Sequence, residues 1–170
     1  MVSGMSDVYV EWLVKRTSTG LSKVIKFLSI FIMIIIVLLF VFTGNFFVMI
    51  VAIVVGVAAY MLKTGADVEY EYLYVDKQLS IDSIFSKTRR KKSETLDLER
   101  VEIIAPLDSV KLDNFKHKQV KSFDYSSRDY KNGGRKFVIY YNSNKKIIIE
   151  PNKDMIMAMR SVAPHKVHLD

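Results

Sequence analysis

The densest group of charged side chains is the run KTRRKK, which begins at Lys87 and lies between two predicted strands. A cation held near an anionic lipid surface gains about 1 kcal/mol, so the run is a candidate contact for anionic lipid or for a protein partner. A solvated hairpin loop is the plainer interpretation and stays open. Because no aromatic stacking platform adjoins the run, we do not expect nucleic acid to bind. The candidate contact residues are Lys87, Arg89, Arg90, Lys91 and Lys92.

Residues for catalysis or metal binding do not form a recognisable motif. His165 and His168 lie close to Asp170, but Pro164 ends the preceding helical pattern and no second pair of ligands accompanies them. The chain has no cysteine, which excludes disulfides and thiolate chemistry. It also has no phosphate-binding loop, dinucleotide fingerprint, nucleophile elbow or HExxH motif. We therefore expect a protein that is not an enzyme and that has no cofactor and no metal.

The most apolar part of the chain, residues 27–62, has no charged residue and one polar break, Thr43-Gly44-Asn45. A single helix over this block would be about 54 Å long, whereas the hydrocarbon core of a bilayer is about 30 Å thick. Two helices joined by a turn at the break fit better, because Gly and Asn tolerate a left-handed backbone. The pattern predicts a transmembrane hairpin over residues 21–64, with helices at about 22–42 and 46–62.

The distribution of basic residues predicts an orientation for this hairpin. Lys15, Arg16, Lys23 and Lys26 precede the first helix and Lys63 follows the second, whereas the turn has no Lys or Arg. By the positive-inside rule, both termini would be cytoplasmic. The expected location is the cell membrane, crossed more than once.

Small residues recur on one face of the second apolar helix, at Ala52, Gly56 and Ala59. Such a face lets another helix approach closely. We favour packing against the first helix of the same chain, and a homo-oligomer through this face is the alternative.

The segment before the apolar block, residues 1–20, is predicted to lie at the membrane interface. Ser6 or Asp7 could cap a short helix with Val8, Trp12 and Leu13 on one side. Packing of this segment on the folded domain is the alternative.

After the apolar block the pattern changes to that of a β domain, residues 66–170. In DVEYEYLYVD, apolar and acidic residues alternate, and Asp76-Lys77 is the turn to a second strand. Asn152 is a good N-cap for a C-terminal helix with a methionine stripe. The order of about seven strands and one helix is that of a pleckstrin-homology-like (PH-like) domain, which we expect to fold alone. The predicted strands are 67–76, 78–86, 94–98, 100–105, 118–125, 136–142 and 145–150.

Three stretches, SDVYVEWLVKR, DVEYEYLYVDKQLSIDSIFSKTRRK and EPNKDMIMAMRSVAP, resemble a family of small bacterial membrane proteins with two spans and a cytosolic domain of unknown function. The resemblance starts at Met5, which is similar to the family's usual first residue, so translation could start there or at Met1. The C-terminal part also resembles bacterial PH-like domains. Lipid-binding members of that superfamily carry basic residues in the first hairpin loop, and Asp76-Lys77 departs from that pattern.

Taken together, these features predict an α+β membrane protein: a transmembrane hairpin followed by a PH-like domain. We expect a membrane-anchored interaction or scaffolding module without catalysis. One alternative is a sensor of anionic lipid surfaces that uses the basic run. Another is a small accessory subunit of a membrane transport complex that packs through Ala52, Gly56 and Ala59. The expected partners are the lipid bilayer and an unidentified membrane or cytosolic protein.

Overall fold

The computed structural model describes residues 9–17, 20–66 and 68–170. Short 3-10 turns at Leu98–Arg100 and Val110–Phe115 join strands of the domain. The described elements, in chain order, are β1 (Val10–Lys15), α1 (Gly20–Thr43), α2 (Phe46–Ala66), β2 (Val68–Val75), β3 (Gln78–Phe85), β4 (Arg89–Asp97), β5 (Val101–Pro106), β6 (Lys121–Asp124), β7 (Phe137–Tyr141), β8 (Lys145–Ile149) and α3 (Lys153–Val162).

The first sheet is antiparallel with the strand order β1-β2-β3-β4. Its central strands carry the alternating pattern read from the sequence, and Tyr70, Tyr72 and Tyr74 are buried on one face. Asp76 and Lys77 both have positive φ, 45° and 65°, as the two central residues of a type I′ hairpin turn require. The predicted β2–β3 hairpin is therefore confirmed.

The second sheet has the order β5-β7-β8-β6, in which β6 runs parallel to β8 and the other pairs are antiparallel. Every residue of β7 is buried, which explains its continuous apolar sequence FVIYY. The C-terminal tail borders β5 through an isolated bridge between Ile104 and Val167. Its two hydrogen bonds, Ile104 N to Lys166 O and His168 N to Ile104 O, are both 2.8 Å long.

The main core lies between the two sheets and the C-terminal helix. Met155 and Met159, the two methionines of the predicted stripe, are buried in it together with Ile156 of the same helix, α3. The Asn152 side chain accepts a hydrogen bond of 2.9 Å from Met155 N, which confirms the predicted N-cap.

The apolar block forms two helices that reverse at the predicted polar break. Gly44 has φ of 59°, and the Asn45 side chain caps α2 by accepting from Phe47 N at 2.9 Å. The predicted helical hairpin is thus present, with both helices extending beyond the predicted bounds at their outer ends.

The transmembrane part of the predicted fold class is wrong. Within the residues that the structure describes, none of the helices combines the length and the apolar character of a helix that could cross a membrane. The predictions of a multi-pass location and of two cytoplasmic termini, which depended on these spans, are corrected with it.

The N-terminal segment is a strand and not the predicted helix. β1 pairs with β2 along its whole length, with Trp12 opposite Tyr72. Val14 is buried, whereas Leu13 faces away and is 47% exposed, so the segment alternates with a period of two. The alternative, packing on the folded domain, is what the structure has. The predicted caps Ser6 and Asp7, together with Val8, lie outside the described residues, as do the side chains of Lys26 and Lys63.

Candidate functional site

The strand directions bring the basic residues to one end of the first sheet. Because β1 to β4 are antiparallel neighbours, the end of β1, the start of β2, the end of β3 and the start of β4 lie side by side. Lys15 is opposite Glu69, and Phe85 is opposite both Val68 and Arg89. The α1–α2 hairpin connects β1 to β2 at this same end.

The basic run belongs mostly to a strand, contrary to the predicted loop. Ser86 and Lys87 form the turn, with φ of 50° and 59°, and β4 already begins at Arg89. The predicted third strand began at residue 94, because Lys and Arg hide the start of an edge strand from the alternating pattern. Charged residues on such a strand also discourage pairing with other chains, which is a structural reason for their presence.

The five cations of the run differ in how their charge is compensated. The Arg90 guanidinium contacts the carboxylate of Glu71, and its Nε lies 3.7 Å from Asp82 Oδ2. In the described part of the chain, no carboxylate lies within 4.0 Å of the other four exposed cations. We call these four residues the basic end: Lys87, Arg89, Lys91 and Lys92.

A cleft of about 660 Å³ separates the C-terminal part of α2 from the β3–β4 hairpin. Its helix wall consists of the largely apolar side chains of Tyr60 and Met61, which are both more than 60% exposed. Its sheet wall combines the ring of Phe85 with the cationic side chains of two members of the basic end. We call it the α2–β4 cleft, and its lining residues are Tyr60, Met61, Phe85, Ser86, Thr88, Arg89 and Lys91.

The small residues of α2 do not belong to this site. A Cβ built on Gly56 would lie 4.0 Å from Sδ of Met33 on α1, so Gly56 is close to the neighbouring helix. Ala52 and Ala59 are half-buried, as is Gly56. This placement favours packing within the hairpin over a contact with another chain.

The C-terminal histidines also lie outside it. Lys111 Nζ donates to Asp170 Oδ1 at 2.8 Å and lies 3.2 Å from His168 Nδ1. This contact with Lys111 lowers the pKa of the Asp170 carboxyl. Across residues 9–17, 20–66 and 68–170, no three His, Asp or Glu side chains are grouped so that they could hold a metal ion.

A buried polar cluster around Glu150 was not foreseen from the sequence. The Glu150 carboxylate accepts from Ser127 N at 3.0 Å, from Ser127 Oγ at 2.5 Å and from Gly134 N at 2.5 Å. The buried Lys136 Nζ lies 3.4 Å from it and donates to Asp129 O. These contacts hold the loop before β7 against the sheet, which is a structural role. The turn signal Asn132-Gly133-Gly134 marked the loop but not its buried partner.

Two sheets packed around a core, with a C-terminal helix completing it, define a PH-like domain, and the site described above adds a basic end to it. The family model described as "Bacterial PH-like domain (DUF6106)" matches residues 6–169, and the chain belongs to this family. The predicted bacterial PH-like domain of unknown function is thereby confirmed. Searches of curated proteins and of solved structures found no match.

Proposed function

We propose that this chain is a non-catalytic interaction module that binds anionic lipid surfaces through its basic end. The observation that supports the proposal is a group of four cations that have no neighbouring carboxylate among the described residues, two of which, Arg89 and Lys91, border the apolar α1–α2 hairpin. Phosphate and carboxylate headgroups would supply the compensating charge that the described part of the protein does not.

Arg90 differs from the other four cations of the run because carboxylates lie close to it. Glu71 and Asp82 compensate its charge on one face of the first sheet, so it adds little net charge to the surface. The basic end would therefore contribute about 4 kcal/mol at low ionic strength, at roughly 1 kcal/mol for each of its four cations.

The hairpin supplies apolar contact next to these charges. Tyr60 and Met61, which border the basic end, are 68% and 67% exposed, and most apolar side chains along both helices are exposed as far as Phe42 and Phe47 at the distant turn. Large contiguous apolar surfaces mark contact sites for proteins or lipids. In the proposal, this surface lies against the same lipid surface to which the basic end binds.

The test measures how the full chain partitions onto two kinds of vesicle. One is phosphatidylcholine alone, and the other is an equal mixture of phosphatidylcholine and phosphatidylglycerol. Substituting Gln at all four residues of the basic end should weaken binding to the mixed vesicles by up to about a thousandfold at low salt. The loss should shrink with added salt, since exposed charges are screened over about 10 Å at 0.1 M. Binding to phosphatidylcholine alone should not change.

A control with four other cations separates the basic end from net charge. Lys121, Lys131, Lys146 and Lys153 have no carboxylate within 4.0 Å among the described residues, and they belong to the second sheet, its loops and α3. Changing these four to Gln should weaken binding to the mixed vesicles far less. Equal losses for the two quadruple variants, or none for either, would refute the proposal. Arg90→Gln should weaken binding less than Arg89→Gln.

A further inference from the structure

The α2–β4 cleft has two unlike walls, and this arrangement suits a ligand with two unlike parts. We propose that the cleft binds one molecule of an anionic phospholipid, with its phosphate between Arg89 and Lys91 and its hydrocarbon against Tyr60 and Met61. This inference rests on the proposed function and goes beyond it, because it adds a discrete site for a single lipid to the contact with a charged surface.

The alternation of β4 selects two of the four cations for this site. Residues two apart on a strand point to the same face, about 6.6 Å apart along the chain. Arg89 and Lys91 line the cleft, whereas Arg90 points to the opposite face and contacts Glu71. Guanidinium and ammonium groups at this spacing can both donate to the oxygens of one phosphate.

The apolar wall and the size of the cleft suit the hydrocarbon part. Ligand sites usually measure about 300 to 1,000 Å³, and the cleft of about 660 Å³ lies within this range. Phe85 forms the floor between the cations and the helix, and its ring packs against the main core. Val57 and Val54, one and two helical turns before Met61, are exposed, so a chain longer than the cleft could continue along this helix.

The experiment uses the full chain in micelles of a nonionic detergent, titrated with dodecyl phosphate and followed by the NMR signals of the Arg89 and Lys91 amides and the Met61 methyl group. We expect saturable shifts with one dodecyl phosphate per chain. Dodecanol, which lacks the phosphate, and inorganic phosphate, which lacks the hydrocarbon, should each give shifts that do not saturate. Saturation by inorganic phosphate as tight as that by dodecyl phosphate would overturn the lipid part of the assignment.

Four single cation variants distinguish this inference from the proposed function, and a fifth variant tests the helix wall. Arg89→Gln and Lys91→Gln should each weaken dodecyl phosphate binding by about tenfold, since each removes a charge-assisted hydrogen bond. Lys87→Gln and Lys92→Gln should weaken vesicle binding to a similar degree as these two, but should weaken dodecyl phosphate binding much less. Met61→Gln should weaken binding of dodecyl phosphate through the helix wall. If all four cation variants weaken it equally, or if no shift saturates, the discrete site is refuted while the vesicle result still decides the proposed function.

Discussion

Tyr72 and Tyr74 are a matched pair for measuring what one buried hydroxyl contributes to the fold. Both side chains lie on the same face of β2, and both are almost fully buried. The Tyr72 hydroxyl donates to Tyr125 O at 2.6 Å and accepts from Glu150 N at 3.2 Å. The Tyr74 hydroxyl is also buried, yet it has no hydrogen-bond partner among the described residues.

The two Phe variants should therefore change the free energy of unfolding in different ways. Tyr72→Phe removes two hydrogen bonds and leaves the Tyr125 carbonyl and the Glu150 amide without this partner. A buried group that loses its partner costs about 1 to 3 kcal/mol, so we expect a loss of about 2 to 3 kcal/mol for Tyr72→Phe. Tyr74→Phe removes a hydroxyl that is desolvated without a hydrogen bond, so stability should stay the same or rise by about 1 kcal/mol.

The assay is urea unfolding of the full chain in a nonionic detergent that covers the exposed apolar side chains of α1 and α2, followed by near-UV circular dichroism. Burial raises the pKa of Tyr72 well above its usual value of 10, so its hydroxyl is neutral in the folded state. The difference between the two variants should therefore be the same at pH values of roughly 7 and 9. Equal losses for the two variants would refute the reasoning, and so would a larger loss for Tyr74→Phe.

Two further predictions concern the N-terminal strand and a surface carboxylate. A fragment of residues 66–170 lacks β1 and the buried Val14. In urea unfolding it should be at least about 2 kcal/mol less stable than a chain that keeps β1 and in which a short Asn-Gly turn replaces residues 18–67. Equal stability of the two would show that β1 contributes nothing. Hydrogen bonds from Lys118 and Ser143 lower the pKa of Glu102 in the folded state, so its contribution to stability is present above the ordinary pKa of about 4.3 and is lost as the pH falls through the lowered value. Glu102→Gln should accordingly flatten the fall in melting temperature below this pH. An Asp113→Asn control should show the same fall as the unsubstituted chain. An unchanged fall in the Glu102→Gln variant would contradict the assignment.

Local patterns in the sequence were sufficient for the elements whose stability is decided locally. The β2–β3 hairpin has strict alternation and a two-residue turn, and α3 has a cap and an apolar stripe. The reversal at Gly44 needs a positive φ, which the residue types at the polar break supply. Each of these features depends on residues close together in the chain, so no knowledge of distant partners was needed.

Long-range pairing decided the elements that sequence reasoning missed. β1 is six residues long, and its partner β2 begins more than fifty residues later, so only the folded structure shows that Val14 belongs to the sheet. Two adjacent apolar residues such as Trp12 and Leu13 fit the period of a helix as well as that of a strand, so the local pattern alone did not identify the strand. Trp12 is held instead by a hydrogen bond of 3.0 Å from its Nε1 to Glu150 O, a partner at the other end of the chain.

The place where α1 and α2 are inserted explains why the apolar surface and the charges meet. Neighbouring antiparallel strands lie about 5 Å apart, so pairing of Lys15 with Glu69 requires the inserted hairpin to leave and rejoin the sheet at nearly one point. The β3–β4 turn lies at this same end, because each strand reverses the direction of the one before it. Only one register shift occurs in the β3–β4 pair, between Ile81 and Asp82, and it adds one residue to β4. Ser93 is this extra residue, so deleting it should keep Arg89 and Lys91 in register on the turn side of the bulge, and should also keep Leu96 opposite Leu79 beyond it.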